Sequence, residues 1–151
     1  MTSEAAADTF NTWLWGDDRP KARLLHTMVR VQDFDVALRF YVEGLGMRVL
    51  DRFEVASRRA SAIYIGFGDY NDGGVLELVR YWGDEGAYTH GTGYGHIAVG
   101  VADVAATLDR LEAMGAEVTL RPKVLMDGGP AVGFVKDPDG YSIELIQTLK
   151  A

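Results

Sequence analysis

His26-Thr27-Met28-Val29-Arg30-Val31-Gln32-Asp33 and His96-Ile97-Ala98-Val99-Gly100-Val101-Ala102-Asp103 are two versions of one stretch. Histidine, two valines and aspartate fall at identical offsets, and Leu38 is matched further on by Leu108. Such self-similarity marks a structural unit used twice, so it takes precedence over any single residue. In each version the alternating apolar run predicts a strand. The aspartate that closes the run is placed to cap a helix, because a short acceptor just ahead of the first turn satisfies otherwise free amide groups.

Working outward, Phe34, Ala37, Leu38, Tyr41 and Leu45 recur at helical spacing in the first copy, with Gly44 and Gly46 as the stop. Val104, Leu108 and Leu111 do the same in the second copy, stopped by Gly115. Each predicts an amphipathic helix lying on the back of a sheet. Strand-like runs follow at Met47 to Val55, Ser61 to Gly66 and Val75 to Tyr81, then at Glu117 to Leu120, Ala131 to Lys136 and Tyr141 to Gln147. Turns such as Gly73-Gly74 and Asp137-Pro138-Asp139-Gly140 separate them. The expected fold class is α+β: two tandem βαβββ modules forming curved mixed sheets, with helices on the outer face. Residues 1–20 read as an N-terminal extension and 21–151 as one domain, with module 1 at about 22–82, a linker at 83–93 and module 2 at about 94–149. Half a chain of this size buries little core alone, so the halves should fold as one domain or pair across a dimer.

Composition narrows the function. Of 151 residues 48% are apolar and four are proline, which suits a packed core rather than disorder. The formal net charge is −7 and the basic residues are scattered, so no stripe exists to neutralise a phosphate backbone, and nucleic acid is not an expected partner. With no cysteine, disulfides, thiolate metal sites and cysteine nucleophiles are all excluded. Met1 to Pro20 has neither a basic segment nor an apolar run of signal-peptide form, and no run is long enough to span a bilayer, so a soluble cytoplasmic protein is expected. Thr9 to Trp15 carries two tryptophans, either packed on the domain or a second subunit, or part of a frayed extension.

Two more residues enter through the repeat. An acid interrupts the closing apolar run of each copy, Glu77 in Val75-Leu76-Glu77-Leu78-Val79 and Glu144 in Ser142-Ile143-Glu144-Leu145-Ile146. Glu77 lies 51 positions after His26, and Glu144 48 after His96. A lone strand histidine is usually a hydrogen-bonded structural residue, and a lone strand glutamate usually faces water. Four potential ligands at equivalent places in a repeated unit are better explained by a shared metal ion. Two neutral imidazoles and two carboxylates suit a first-row divalent ion such as nickel, cobalt, zinc, iron or manganese. Six-coordination would leave two positions for water or substrate. His90, in the glycine-rich linker and without a repeat partner, reads as a solvated loop residue.

From Leu24 to Gln147 the chain resembles glyoxalase I, of the vicinal oxygen chelate superfamily. The likeness is carried by Leu24-Leu25-His26-Thr27-Met28-Val29-Arg30-Val31, Phe40-Tyr41, Leu45-Gly46-Met47, Tyr94-Gly95-His96-Ile97-Ala98 and Asp137-Pro138-Asp139-Gly140-Tyr141-Ser142-Ile143-Glu144-Leu145. The resemblance implies metal ligation by His26, Glu77, His96 and Glu144 in a homodimer, each site taking one pair from each subunit. Compact relatives without the insertions of zinc-using forms favour nickel or cobalt, with zinc as the further option. The implied reaction isomerises the methylglyoxal–glutathione hemithioacetal to S-lactoylglutathione through an enediolate. Glu144 is the implied base, Glu77 its counterpart, and glutathione the co-substrate.

Strand alternation puts Met28 and Arg30 on the face of His26, with Arg30 about 13 Å along, where a cation suits a carboxylate of the thiol. Tyr81, four beyond Glu77, stands where bacterial relatives commonly carry asparagine, and Met126-Asp127 where they often carry lysine and glycine. A different thiol, a metal-dependent epimerase or thiol transferase of the same superfamily, and a metal-free drug-sequestering protein therefore stay open at this point.

Overall fold

Two four-stranded mixed sheets carry the chain, and each is one copy of the repeat. The structure is a computed structural model describing residues 22–70 and 73–149, so the tryptophan-bearing segment lies outside the described residues. In chain order come β1 (Thr27–Arg30), helix α1 (Phe34–Leu38) running into a π-helical segment (Arg39–Gly44), β2 (Arg48–Val55), a 3-10 turn (Ala56–Arg58), β3 (Ala60–Gly66) and β4 (Leu76–Tyr81). The second copy supplies β5 (Ile97–Val101), α2 (Val104–Ala113), β6 (Glu117–Val124), β7 (Ala131–Lys136) and β8 (Ser142–Gln147). This is the expected βαβββ order, twice.

The sheet orders match, β1-β4-β3-β2 and β5-β8-β7-β6. In both, the opening strand runs parallel to the closing strand and the other pairings are antiparallel. Even the register repeats: Met28 faces Glu77 and Ala98 faces Glu144, so each glutamate sits opposite the residue two beyond its histidine. Since alternate residues share a face, histidine and glutamate emerge on the same side. The other side makes the core. In the second sheet Val135, Ile143 and Leu145 are buried with Val104, Leu108 and Leu111 of α2, each worth about 1.5–3 kcal/mol over exposure.

Helix α2 begins as the sequence predicts, with the Asp103 carboxylate accepting from the Ala106 amide at 2.9 Å. It stops just ahead of Gly115, whose φ of +97° suits glycine. The helix lies very close to β7, because a Cβ on Gly133 would stand 2.6 Å from Leu108 Cδ1.

Contacts divide the chain into two compact units: the described residues through Phe34 with Gly46–Gly86, and Asp35–Leu45 with the described residues from Ala87 onward. The first helix, expected to be amphipathic and to lie on the back of a sheet, falls across this division. Its α-helical part ends at Leu38, and Asp35–Leu45 belongs to the second unit. The wholly buried Tyr41 donates its hydroxyl to Asp137 Oδ2 at 2.6 Å, and Arg110 Nε donates to the Gly44 carbonyl at 3.0 Å. Gly44 permits the approach, since a Cβ there would stand 2.5 Å from Leu111 Cδ2. Over six residues α and π windings diverge by only about one position, which an apolar stripe does not resolve.

Strand β6 also runs further than expected, to Val124. Pro122 suggests an end, yet it lies on an edge strand between Leu120 and Lys123, where the register shifts, and such places tolerate a missing amide. No helix among the described residues is long and apolar enough to cross a membrane.

Candidate active site

In the first unit the parallel ladder brings His26 Nε2 to 2.9 Å from Glu77 Oε2. Both side chains are half-buried, 27% and 18% exposed. Tyr64, directly across from Glu77 on β3, donates its hydroxyl to the other carboxylate oxygen at 3.1 Å. Its ring also meets the His26 imidazole edge-on, centroids 5.5 Å apart. Burial, and then the Glu77 charge and hydrogen bond, push the Tyr64 phenol well above its ordinary value, so it stays a donor.

The second unit repeats the arrangement. His96 Nε2 lies 3.1 Å from Glu144 Oε2. Phe134 faces Glu144 across β7 and β8 and meets the His96 ring edge-on at 5.5 Å. Geometry is conserved between the copies, but the hydroxyl is not. Among the described residues no cluster of three or more His, Asp or Glu side chains forms, and each unit holds one His–Glu pair. An imidazole nitrogen beside a carboxylate oxygen, as in each pair, is a kind of donor that a borderline divalent ion favours.

Beyond the first pair, Arg30 lies over the ring of Tyr81, Cζ 4.6 Å from the centroid. Register explains it: Arg30 is opposite Val79, which makes Tyr81 its diagonal neighbour, within reach of a long side chain. Among the described residues Arg30 has no carboxylate partner within 4.0 Å. Met28 is exposed on the same strand, and Met126 is 72% exposed between β6 and β7. Arg121 lies in β6 and bridges Asp109 and Glu112 of α2.

His90 is not the solvated residue its linker position suggests. Its ring stacks on Tyr141 at 4.2 Å and 8°, with Tyr94 tilted against it at 5.7 Å. Burial, then the Asp137 charge, push the Tyr94 phenol up to about 12, and its hydroxyl donates to the Ser142 carbonyl. These rings pack beside the turn that leads into β8, the strand that carries Glu144.

Residues 23–145 match the family model for the glyoxalase/bleomycin resistance protein/dioxygenase superfamily. A probable lactoylglutathione lyase of Vibrio cholerae is 44% identical over 129 residues, 85% of this chain and 93% of that protein. The lactoylglutathione lyase of Haemophilus influenzae is 41% identical over 83% of this chain and 92% of its own length. This chain belongs to the glyoxalase I family. Among solved structures, the trypanothione-dependent glyoxalase I of Leishmania major is similar, with a TM-score of 0.73 and 37% identity over 84% of this chain and 87% of that one.

In the sequence of this glyoxalase I chain both His–Glu pairs are legible, but Tyr64 and Phe134 are not. Each sits across a strand pair from a glutamate, ten or more positions away, and only the register reveals it.

Proposed function

We propose that this glyoxalase I chain is a nickel-dependent, homodimeric lactoylglutathione lyase of the cytoplasm. It isomerises the methylglyoxal–glutathione hemithioacetal to S-lactoylglutathione. The observation that carries the metal centre is the twofold His–Glu contact, 2.9 Å in one unit and 3.1 Å in the other, at matching registers. His26, Glu77, His96 and Glu144 hold the ion, with cobalt next to nickel in preference and zinc the further option, and one His–Glu pair comes from each subunit. A reducing compartment, where glutathione is kept as the thiol, suits a chain without cysteine.

When bound, the ion supplies Lewis-acid stabilisation for negative charge on the two adjacent oxygens of the substrate. Glu144 takes the proton from the carbon bearing sulfur and returns it to the neighbouring carbon, while the hydroxyl proton passes to the former ketone oxygen. The substrate's atoms are conserved and no redox partner is required. Glu77 holds its place opposite. Arg30, stacked on Tyr81, binds a carboxylate of the glutathione moiety, with the exposed Met126 as a further substrate-binding residue.

The test is isomerase activity of metal-stripped protein after nickel, cobalt or zinc is added in turn. Nickel or cobalt should restore the greatest rate. Protein that binds these ions but leaves the hemithioacetal unchanged would sink the reading.

A further inference from the structure

Across from the two glutamates, on β3 and β7, the copies of the site differ by one oxygen atom. Tyr64 and Phe134 occupy equivalent places, each directly across a strand pair from a glutamate and each edge-on to a histidine at 5.5 Å. The Tyr64 hydroxyl fixes Glu77 Oε1 at 3.1 Å while His26 faces Oε2, so both oxygens of Glu77 are engaged. Phe134 offers Glu144 no such donor, and among the described residues His96 is the sole partner of that carboxylate.

We infer that Tyr64 and Phe134 are positioning residues that divide the labour between two otherwise equivalent glutamates: Tyr64 pins Glu77 as a ligand, and Phe134 leaves Glu144 free to move as the base. The inference rests on the proposed isomerase. It gives that reading a structural reason for the inequality of the two acids, whichever copies of the chain furnish the two halves. A carboxylate must swing between two carbons to carry a proton, and every further hydrogen bond to it has to break first. A hydrogen bond to a charged group slows such a swing by about tenfold to a hundredfold. A hydroxyl orienting a ligand from behind also raises metal affinity, by about ten- to a hundredfold.

The experiment exchanges the two groups in the nickel-loaded protein. Tyr64→Phe should weaken nickel binding about tenfold, measured by competition with a chelator. Phe134→Tyr should retain nickel and lower kcat at least about tenfold with little change in KM. The deciding measurement adds Glu77→Gln or Glu144→Gln. In the wild-type background Glu144→Gln should do the greater damage to kcat, and in Y64F/F134Y the order should reverse. An unreversed order overturns the inference, as does equal damage in both backgrounds. If the double exchange does not fold, Y64F alone decides, because the gap between the two Gln variants must narrow there. Failure of the isomerase reading looks different: wild type loaded with nickel would then have no hemithioacetal activity to divide.

Discussion

Asp137 shows how one buried carboxyl organises its surroundings. Only 4% exposed, it accepts from the Tyr41 hydroxyl at 2.6 Å and from the amides of Asp139 and Tyr141. Burial raises its pKa, and the hydrogen bonds from Tyr41 and the Tyr141 amide act against that rise. Tyr41→Phe should therefore raise it further and cost about 1–3 kcal/mol of stability where Asp137 is ionised. A carboxyl raised in the folded state loses stability as pH climbs from its unfolded value through its folded one, and in the variant this loss extends further. The deficit against wild type should thus be full at neutral pH and shrink on acidification, as urea unfolding across a pH series would show. A deficit independent of pH would refute this. In the sequence Asp137 is legible only as part of a turn; its partner Tyr41, 96 residues away, reads as one more apolar helix position.

Strand pairing decides what the Arg30 side chain can do. Alternation along β1 is enough to put Arg30 on the face of His26, but its place over Tyr81 requires the parallel register of β1 with β4. Holding a guanidinium over a ring is worth about 0.5–2 kcal/mol, depending on how dry the pair is. Tyr81→Leu should accordingly raise KM for the glutathione hemithioacetal by about two- to thirtyfold with kcat preserved, and Tyr81→Phe should stay near wild type. Steady-state kinetics separate the cases, and a fall in kcat alone would count against a binding role. Pattern reading does well for such faces and badly for the partners across them. Likewise β6 looks finished at Leu120, because a proline on an edge strand resembles an end until the irregular register is seen.

Over the whole chain, the repeat made both the fold class and the two His–Glu pairs readable, since each pair needs only its own copy. The proposed assembly of the pairs into a four-ligand site across a homodimer is tested by mixing inactive proteins. His26→Ala and His96→Ala homodimers should each lose activity. Dissociated and reassociated together, they should regain up to about a quarter of the wild-type rate, because each mixed dimer joins an intact His26 half from one chain to an intact His96 half from the other. No recovery on mixing, with subunit exchange verified, would place each site within a single chain.

The second unit takes Asp35–Leu45 from ahead of the linker, so the repeat in the sequence and the unit in space do not share a boundary. A duplication that leaves its copies joined in this way is hard to reverse. Recombination at the linker would remove the segment that meets Asp137 and Leu111, leaving a half-gene whose product lacks part of its own interior. Exchange of modules with a distant relative would have to carry that helix along with the sheet it serves, and the heritable cassette is therefore an interleaved one.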